Sequence, residues 1–222
     1  IDLYTMTNYD ETFKEIKVLY PKKNIKNTIG EVISNAGCTQ LRIAETEKYP
    51  HVTFFFSGGK EQEFKNESRA LIASPKVATY DLKPEMSAKE ITKKYIDEIN
   101  NKHPDFVCLN YANADMVGHT GDFHAVVKAL EIIDTCLNKI INASLKQNYA
   151  IIIIADHGNA EMMINTDKTP NTAHTMNKVP CFVLNSNYKY IQEGSLCDIA
   201  PTILKIMNIN APSEMTGKSI LN

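Results

Sequence analysis

Two kinds of pattern alternate along this chain of 222 residues: short apolar runs rich in β-branched residues, and longer segments with apolar residues every three or four positions. The most apolar run is Ala150-Ile-Ile-Ile-Ile-Ala155, which gives way to Asp156-His157-Gly158. An unbroken β-branched run predicts a strand buried on both faces, as in a parallel sheet covered by helices. Further strands are expected at 16–20, ended by Pro21, and at 41–44, 106–111 and 179–184. Another is expected at 52–56, closed by Gly58-Gly59. Residues 61–81 read as a long connection with extended pieces around Leu71 and Val77.

Helical spacing appears first at 28–36, where Ile29, Val32, Ile33 and Ala36 share a face and Gly37 fits as the terminal cap. Ser87-Ala-Lys-Glu90 has the form of a capping box, opening a helix that carries Ile91, Tyr95, Ile96 and Ile99 and ends near Asn101. A long helix is expected from Asp122, with Val126, Val127, Leu130, Ile133, Leu137, Ile140 and Ile141 as its apolar stripe. A last helix covers 199–207, with Pro201 in its first turn, where proline is tolerated. Strand and helix alternate, so the expected fold is a three-layer α/β/α arrangement around a largely parallel sheet.

The remaining composition narrows the partners. Hydrophobic residues make up 43% and charged residues 23%, as in ordinary globular chains. No apolar run approaches the ~20 residues of a membrane span, so no membrane partner is expected. The net charge of −2, without a dense basic block, argues against nucleic acid. The five cysteines form no CxxC pair and several sit in apolar patterns, which fits reduced, packed thiols and a cytoplasmic setting. A chain that opens on Ile1 rather than Met is expected to be a fragment or a processed product.

The candidate chemistry lies at the predicted strand ends. Ligands gather beyond the carboxyl ends of strands in such sheets, and Asp156 and His157 fall there. Asp115 and His119, four apart after the 106–111 strand, share a face if they make a helical turn. His174 precedes the 179–184 strand. Five carboxylate and imidazole groups from three loops exceed what one ion needs and suit a two-metal site for phosphoryl transfer. His51, His103 and His124 read as ordinary surface or turn histidines.

These segments carry a family resemblance. Asp115-Met-Val-Gly-His-Thr-Gly121, Ala155-Asp-His-Gly-Asn-Ala-Glu161, His174-Thr-Met-Asn-Lys-Val-Pro180 and Asp198-Ile-Ala-Pro-Thr202 resemble metal motifs of the alkaline phosphatase superfamily. Leu41-Arg-Ile-Ala-Glu-Thr-Glu-Lys-Tyr49, His51-Val-Thr-Phe-Phe-Phe56 and Ser74-Pro-Lys-Val-Ala-Thr-Tyr-Asp81 resemble, more narrowly, the cofactor-independent phosphoglycerate mutases. The resemblance implies an isomerase that interconverts 3- and 2-phosphoglycerate through a phosphoserine, with two divalent ions and no 2,3-bisphosphoglycerate. It implies Mn²⁺ first, with Mg²⁺, Zn²⁺ or Co²⁺ as alternatives. Asp115, His119 and His174 would hold one ion, and Asp156 with His157 part of the other. Lys48 would neutralise charge on the transferring phosphoryl group.

The departures are as informative. The family's longer chains interrupt the phosphatase domain with a transferase domain, and this sequence contains no Asp-Asn-Ser-Glu-type nucleophile segment. It has only two arginines, Arg42 and Arg69, where the family clamps substrate with several. The expected organisation is therefore a segment 1–26 leading from a transferase domain, then 27–222 as the C-terminal part of an alkaline-phosphatase-like, incomplete phosphatase domain. The partner would be a small anionic phosphoglycerate, bound by an intact enzyme that is a monomer. Two other readings stay open: another superfamily phosphotransferase, such as a phosphopentomutase or phosphodiesterase, and a non-catalytic metal-binding domain that works with a separate N-terminal chain.

Overall fold

The computed structural model describes residues 2–7, 16–21 and 25–222. The expected segment 1–26 thus lies partly outside the described residues. Its described parts contain β1 (Tyr4–Thr5) and β2 (Lys17–Val18), which pair in parallel.

The structure is organised around β3 (Gln40–Glu45), all six residues of which are buried. It pairs in parallel with β4 (Glu67–Ile72) on one side and β5 (Phe106–Leu109) on the other. Successive side chains of a strand point to opposite faces, and β3 shows what each face meets. Leu41 and Ile43 enter a core with Ile91, Tyr95 and Ile99 of α3 (Ala88–Asn101) and Ile140 of α5 (Phe123–Lys146). Gln40 and Arg42 face the other way, where Gln40 Nε2 donates to the Gly30 carbonyl of α1 (Ile29–Asn35) at 2.9 Å. On that side Ile29 and Ile33 pack with Leu204 of α6 (Ile199–Ile206). This is the expected three-layer arrangement around a parallel sheet. Each of the fully buried Ile33, Ile43, Ile91 and Leu204 contributes about 1.5–3 kcal/mol through burial.

Local signals explain where α1 and α5 begin or end. Gly37 has φ +80°, and the Gly37 and Cys38 N–H groups return to the Ser34 and Ile33 carbonyls, closing α1 as a Schellman motif. Asp122 Oδ1 accepts from the Ala125 N–H at 2.8 Å and caps α5.

Several expectations are corrected. The 150–155 run forms β6 (Ile151–Ile154), yet it pairs antiparallel with β7 (Cys181–Leu184) in a separate two-stranded sheet. Its side chains are half-buried and Ile154 is exposed; an apolar run reports the burial a strand suits, not the neighbour it bonds. Residues 52–56 are not a strand: α2 (Tyr49–Val52) leads into consecutive turns that leave Phe55 exposed. The 61–81 connection contains all of β4, so the extended piece expected around Leu71 is a full six-residue strand whose first half, Glu67-Ser68-Arg69, is polar. Ser87 makes no side-chain cap; its hydroxyl donates instead to the Ala73 carbonyl at 2.8 Å. Val127 and Leu130 of α5 are exposed, whereas Cys136 is buried, so the stripe is narrower than expected.

Candidate metal centre

The centre begins at the C-terminal ends of two neighbouring parallel strands. After β3 the chain makes a 3-10 turn, Thr46–Lys48, and after β5 it enters α4 (Asn113–Gly118). Side chains hold both. Ser74 Oγ donates to Glu45 Oε2 at 2.9 Å, and the Tyr80 hydroxyl donates to Glu47 Oε1 at 2.7 Å. Burial, together with the Glu47 carboxylate, pushes the Tyr80 phenol up to about 12. Burial also raises the fully buried Glu45 carboxyl, against the hydrogen bonds from Ser74 and Ser87. At the start of α4, the fully buried Asn113 donates to the Pro84 carbonyl at 2.8 Å.

Asp115 stands at the middle of the group. Its Oδ2 receives the Lys48 ammonium at 2.5 Å. Its Oδ1 lies 3.1 Å from His119 Nε2 and 3.0 Å from His174 Nε2, and these two nitrogens are 3.1 Å apart. Asp115 and His119 are one helical turn apart, as their spacing required. His119 Nδ1 donates to the Thr172 carbonyl at 2.7 Å, which leaves Nε2 as the ring's lone-pair atom. Burial pushes the Asp115 carboxyl up, but the Lys48 and Asn159 hydrogen bonds and the Lys48 charge outweigh it. The carboxyl comes down to about 2 and stays ionised.

Three potential ligand atoms in a triangle of 3.0–3.1 Å sides call for a proton or a cation among them. Metal bonds of ~2.0–2.1 Å at tetrahedral angles separate ligand atoms by about 3.3 Å. A carboxylate with two imidazoles therefore fits a divalent ion here. His157 adjoins the group: its ring stacks on His174 at 3.7 Å, and its Nε2 lies 3.8 Å from Asp115 Oδ1 and 3.6 Å from Asp156 Oδ1. Asp115, His157 and His174 also each place one ligand atom within 4.8 Å of the others. All five expected ligands and Lys48 thus lie in one cluster, with Asp115 and His174 common to two possible trios.

Sequence reading gave no role to Asn159 or Glu161, which the structure places against the cluster. Asn159 Nδ2 donates to Asp115 Oδ1 at 2.9 Å, and Glu161 Oε2 accepts from the Asn159 N–H at 2.6 Å. Their sequence signal is their place in the Ala155–Glu161 motif, just after Asp156-His157-Gly158. His51 is less ordinary than expected: burial and the Lys48 charge lower its imidazole, while Asp156 and Asp115 act against them. Asp198, part of a motif resembling metal motifs, is engaged elsewhere. It accepts from the Ser195 N–H at 2.8 Å and the Lys218 N–H at 2.7 Å, which ties the C-terminal segment to α6. All five cysteines are free thiols, and among the described residues no helix is long and apolar enough to cross a membrane.

Comparison with known proteins gives the family. A family profile described as "Metalloenzyme superfamily" matches residues 7–211. Curated relatives named 2,3-bisphosphoglycerate-independent phosphoglycerate mutase include those of Flavobacterium psychrophilum, 59% identical over 223 residues, and Bacteroides thetaiotaomicron, 53% identical over 222. Each match takes in the whole of this chain but 44% of the relative, so the chain spans under half the length of these proteins. A crystal structure of Leishmania mexicana phosphoglycerate mutase at low cobalt concentration superimposes with a TM-score of 0.87 at 25% identity. The match covers 99% of this chain and 44% of that one.

Proposed function

This chain belongs to the Metalloenzyme superfamily, and on that premise we propose that it carries the metal centre of a phosphoglycerate mutase independent of 2,3-bisphosphoglycerate. The observation that carries the proposal is the meeting of Asp115, His119 and His174 at 3.0–3.1 Å with Lys48 on the far oxygen of the same carboxylate. The names of the long relatives point to phosphoglycerate, a small phosphorylated hydroxy acid, and to a mutase reaction. Exchange between its 3- and 2-isomers is what the resemblance of the sequence motifs implies.

In this reading Asp115, His119 and His174 hold one divalent ion, and Asp156 with His157 contribute to a second. The mixed oxygen and nitrogen donors favour a transition ion, Mn²⁺ in this proposal, over Ca²⁺ or Mg²⁺, which prefer oxygen. Bound metal supplies Lewis-acid charge beside a phosphoryl oxygen. Lys48 brings a point cation to the same place, and its near-complete burial makes that charge act more strongly than in water. The ionised Asp115 carboxylate keeps Lys48 from drifting away before substrate arrives.

The test is phosphoglycerate interconversion by the whole enzyme that contains this chain, followed with a coupled assay for 2-phosphoglycerate. Activity should disappear on chelation, return with Mn²⁺, and not respond to added 2,3-bisphosphoglycerate. Turnover that persists in chelator would contradict the proposal.

A further inference from the structure

We infer that Asn159 is a positioning residue that aims the Asp115 carboxylate into the cluster, and that Gly118 is small to admit it; this rests on the metal-centre reading above. Asn159 is 4% exposed. Its Nδ2 donates to Asp115 Oδ1 at 2.9 Å and lies 3.4 Å from the Asp115 carbonyl oxygen. Both neighbours are acceptors, so only the NH₂ end of the amide can face them. The other end, Oδ1, is buried with no hydrogen-bond partner among the described residues. An amide held with one end unsatisfied, at a cost of about 1–3 kcal/mol, is held for what its donor end does.

Glu161 fixes Asn159 itself. The Asn159 backbone N–H donates to Glu161 Oε2 at 2.6 Å, and Glu161 Oε1 accepts from the Thr175 hydroxyl and, at 3.0 Å, from Asn177 Nδ2. Thr175 and Asn177 come one and three positions after the ligand His174. One carboxylate therefore fastens the Asn159 loop to the His174 loop, while Asn159 reaches across to Asp115.

Gly118 closes the argument. It ends α4 with an ordinary helical backbone, where alanine is preferred by about 1 kcal/mol. A Cβ there would lie well inside contact distance of the Asn159 amide oxygen. The glycine serves the approach of Asn159 rather than the helix. With Asn159 on one lone pair of Oδ1, the remaining lone pair is turned toward His119 and His174, and outer partners of this kind typically govern metal affinity by 10–100-fold.

The experiment is calorimetric titration of Mn²⁺ into the chain and into Asn159→Ala, Gly118→Ala and the double variant, with a thermal midpoint for each. Thr202→Val serves as the control. Thr202 is fully buried in α6 and bonds Asp198 and Ile220, not the cluster. The inference expects Asn159→Ala and Gly118→Ala each to weaken Mn²⁺ binding by about 10–100-fold. The double variant should lose no more than either, because one bond is removed by two routes. Thr202→Val should lower the midpoint and leave affinity alone. If the chain binds Mn²⁺ and Asn159→Ala binds it within about twofold of the parent, the inference is wrong and the metal centre stands. Multiplied losses in the double variant, or an equal loss in Thr202→Val, overturn it too. If the parent chain itself binds no Mn²⁺, the metal-centre reading fails and takes the inference with it.

Discussion

Lys48 and Asp115, 67 positions apart in sequence, meet at 2.5 Å with side chains only 7% and 13% exposed. The pair joins the ends of β3 and β5 and gives the site a resident positive charge. It also sets that charge on the carboxylate that a divalent ion would need, so ammonium and metal share one anion.

This sharing predicts how Lys48→Met behaves. Removing one partner of a buried pair strands the other, at roughly 3–5 kcal/mol. The metal-free variant should therefore melt well below the parent. Saturating Mn²⁺ gives Asp115 a new counter-charge, so the gap in melting temperature should narrow. Phosphoryl transfer by the whole enzyme should be lost in either case. A gap unchanged by Mn²⁺ would mean that no ion reaches Asp115.

The chain alone should show no mutase turnover. A phosphoserine route needs a serine activated at the site, and none of the 222 residues forms an Asp-Asn-Ser-Glu-type segment. A coupled assay on the purified chain with Mn²⁺ checks this, and turnover near the rate of the long relatives would refute it.

Acid should weaken a contact remote from the metal. The Thr39 N–H and hydroxyl both donate to Asp105 Oδ2 at 2.7 Å, tying the starts of β3 and β5 together. These bonds hold the Asp105 carboxyl below its ordinary value, the backbone N–H most strongly. A depressed carboxyl adds stability above its unfolded value, near ~3.9, and loses it as pH falls through the folded value. Asp105→Ala should cost about 1 kcal/mol at neutral pH, the worth of an exposed cap-like bond. Denaturant melts should show parent and variant converging as the pH drops below that range, and a constant difference would deny the linkage.

How far the sequence led depends on what each residue encodes. Gly37 and Asp122 carry local backbone chemistry, so α1 and α5 were legible at those ends. Asp115 and His119 were legible as a pair because helical spacing dictates their approach. Asp156, His157 and His174 do join them, but from the end of β6 and the segment before its antiparallel partner β7 rather than from one parallel sheet edge. Partner choice is not local, and the isoleucines of β6 gave no sign of antiparallel pairing with β7. Ser87 had the residues of a capping box, but the Ala73 carbonyl competes for its hydroxyl. The aromatic run at 54–56 mimics a strand because phenylalanine suits both strands and packed turns; here Phe56 covers the buried Arg42 guanidinium at 4.3 Å. Asn159 escaped because its function is to hold another side chain, which no spacing announces.

The central claim is that Asp115, His119 and His174 hold the tight ion, rather than Asp115, His157 and His174. Calorimetric titration of Mn²⁺ into His119→Ala and His157→Ala separates the two trios, because His174 and Asp115 belong to both. The account predicts that His119→Ala weakens the tight site at least tenfold, as loss of a ligand should exceed loss of an outer partner, while His157→Ala leaves it largely intact. A tight site that survives His119→Ala and vanishes in His157→Ala would contradict it.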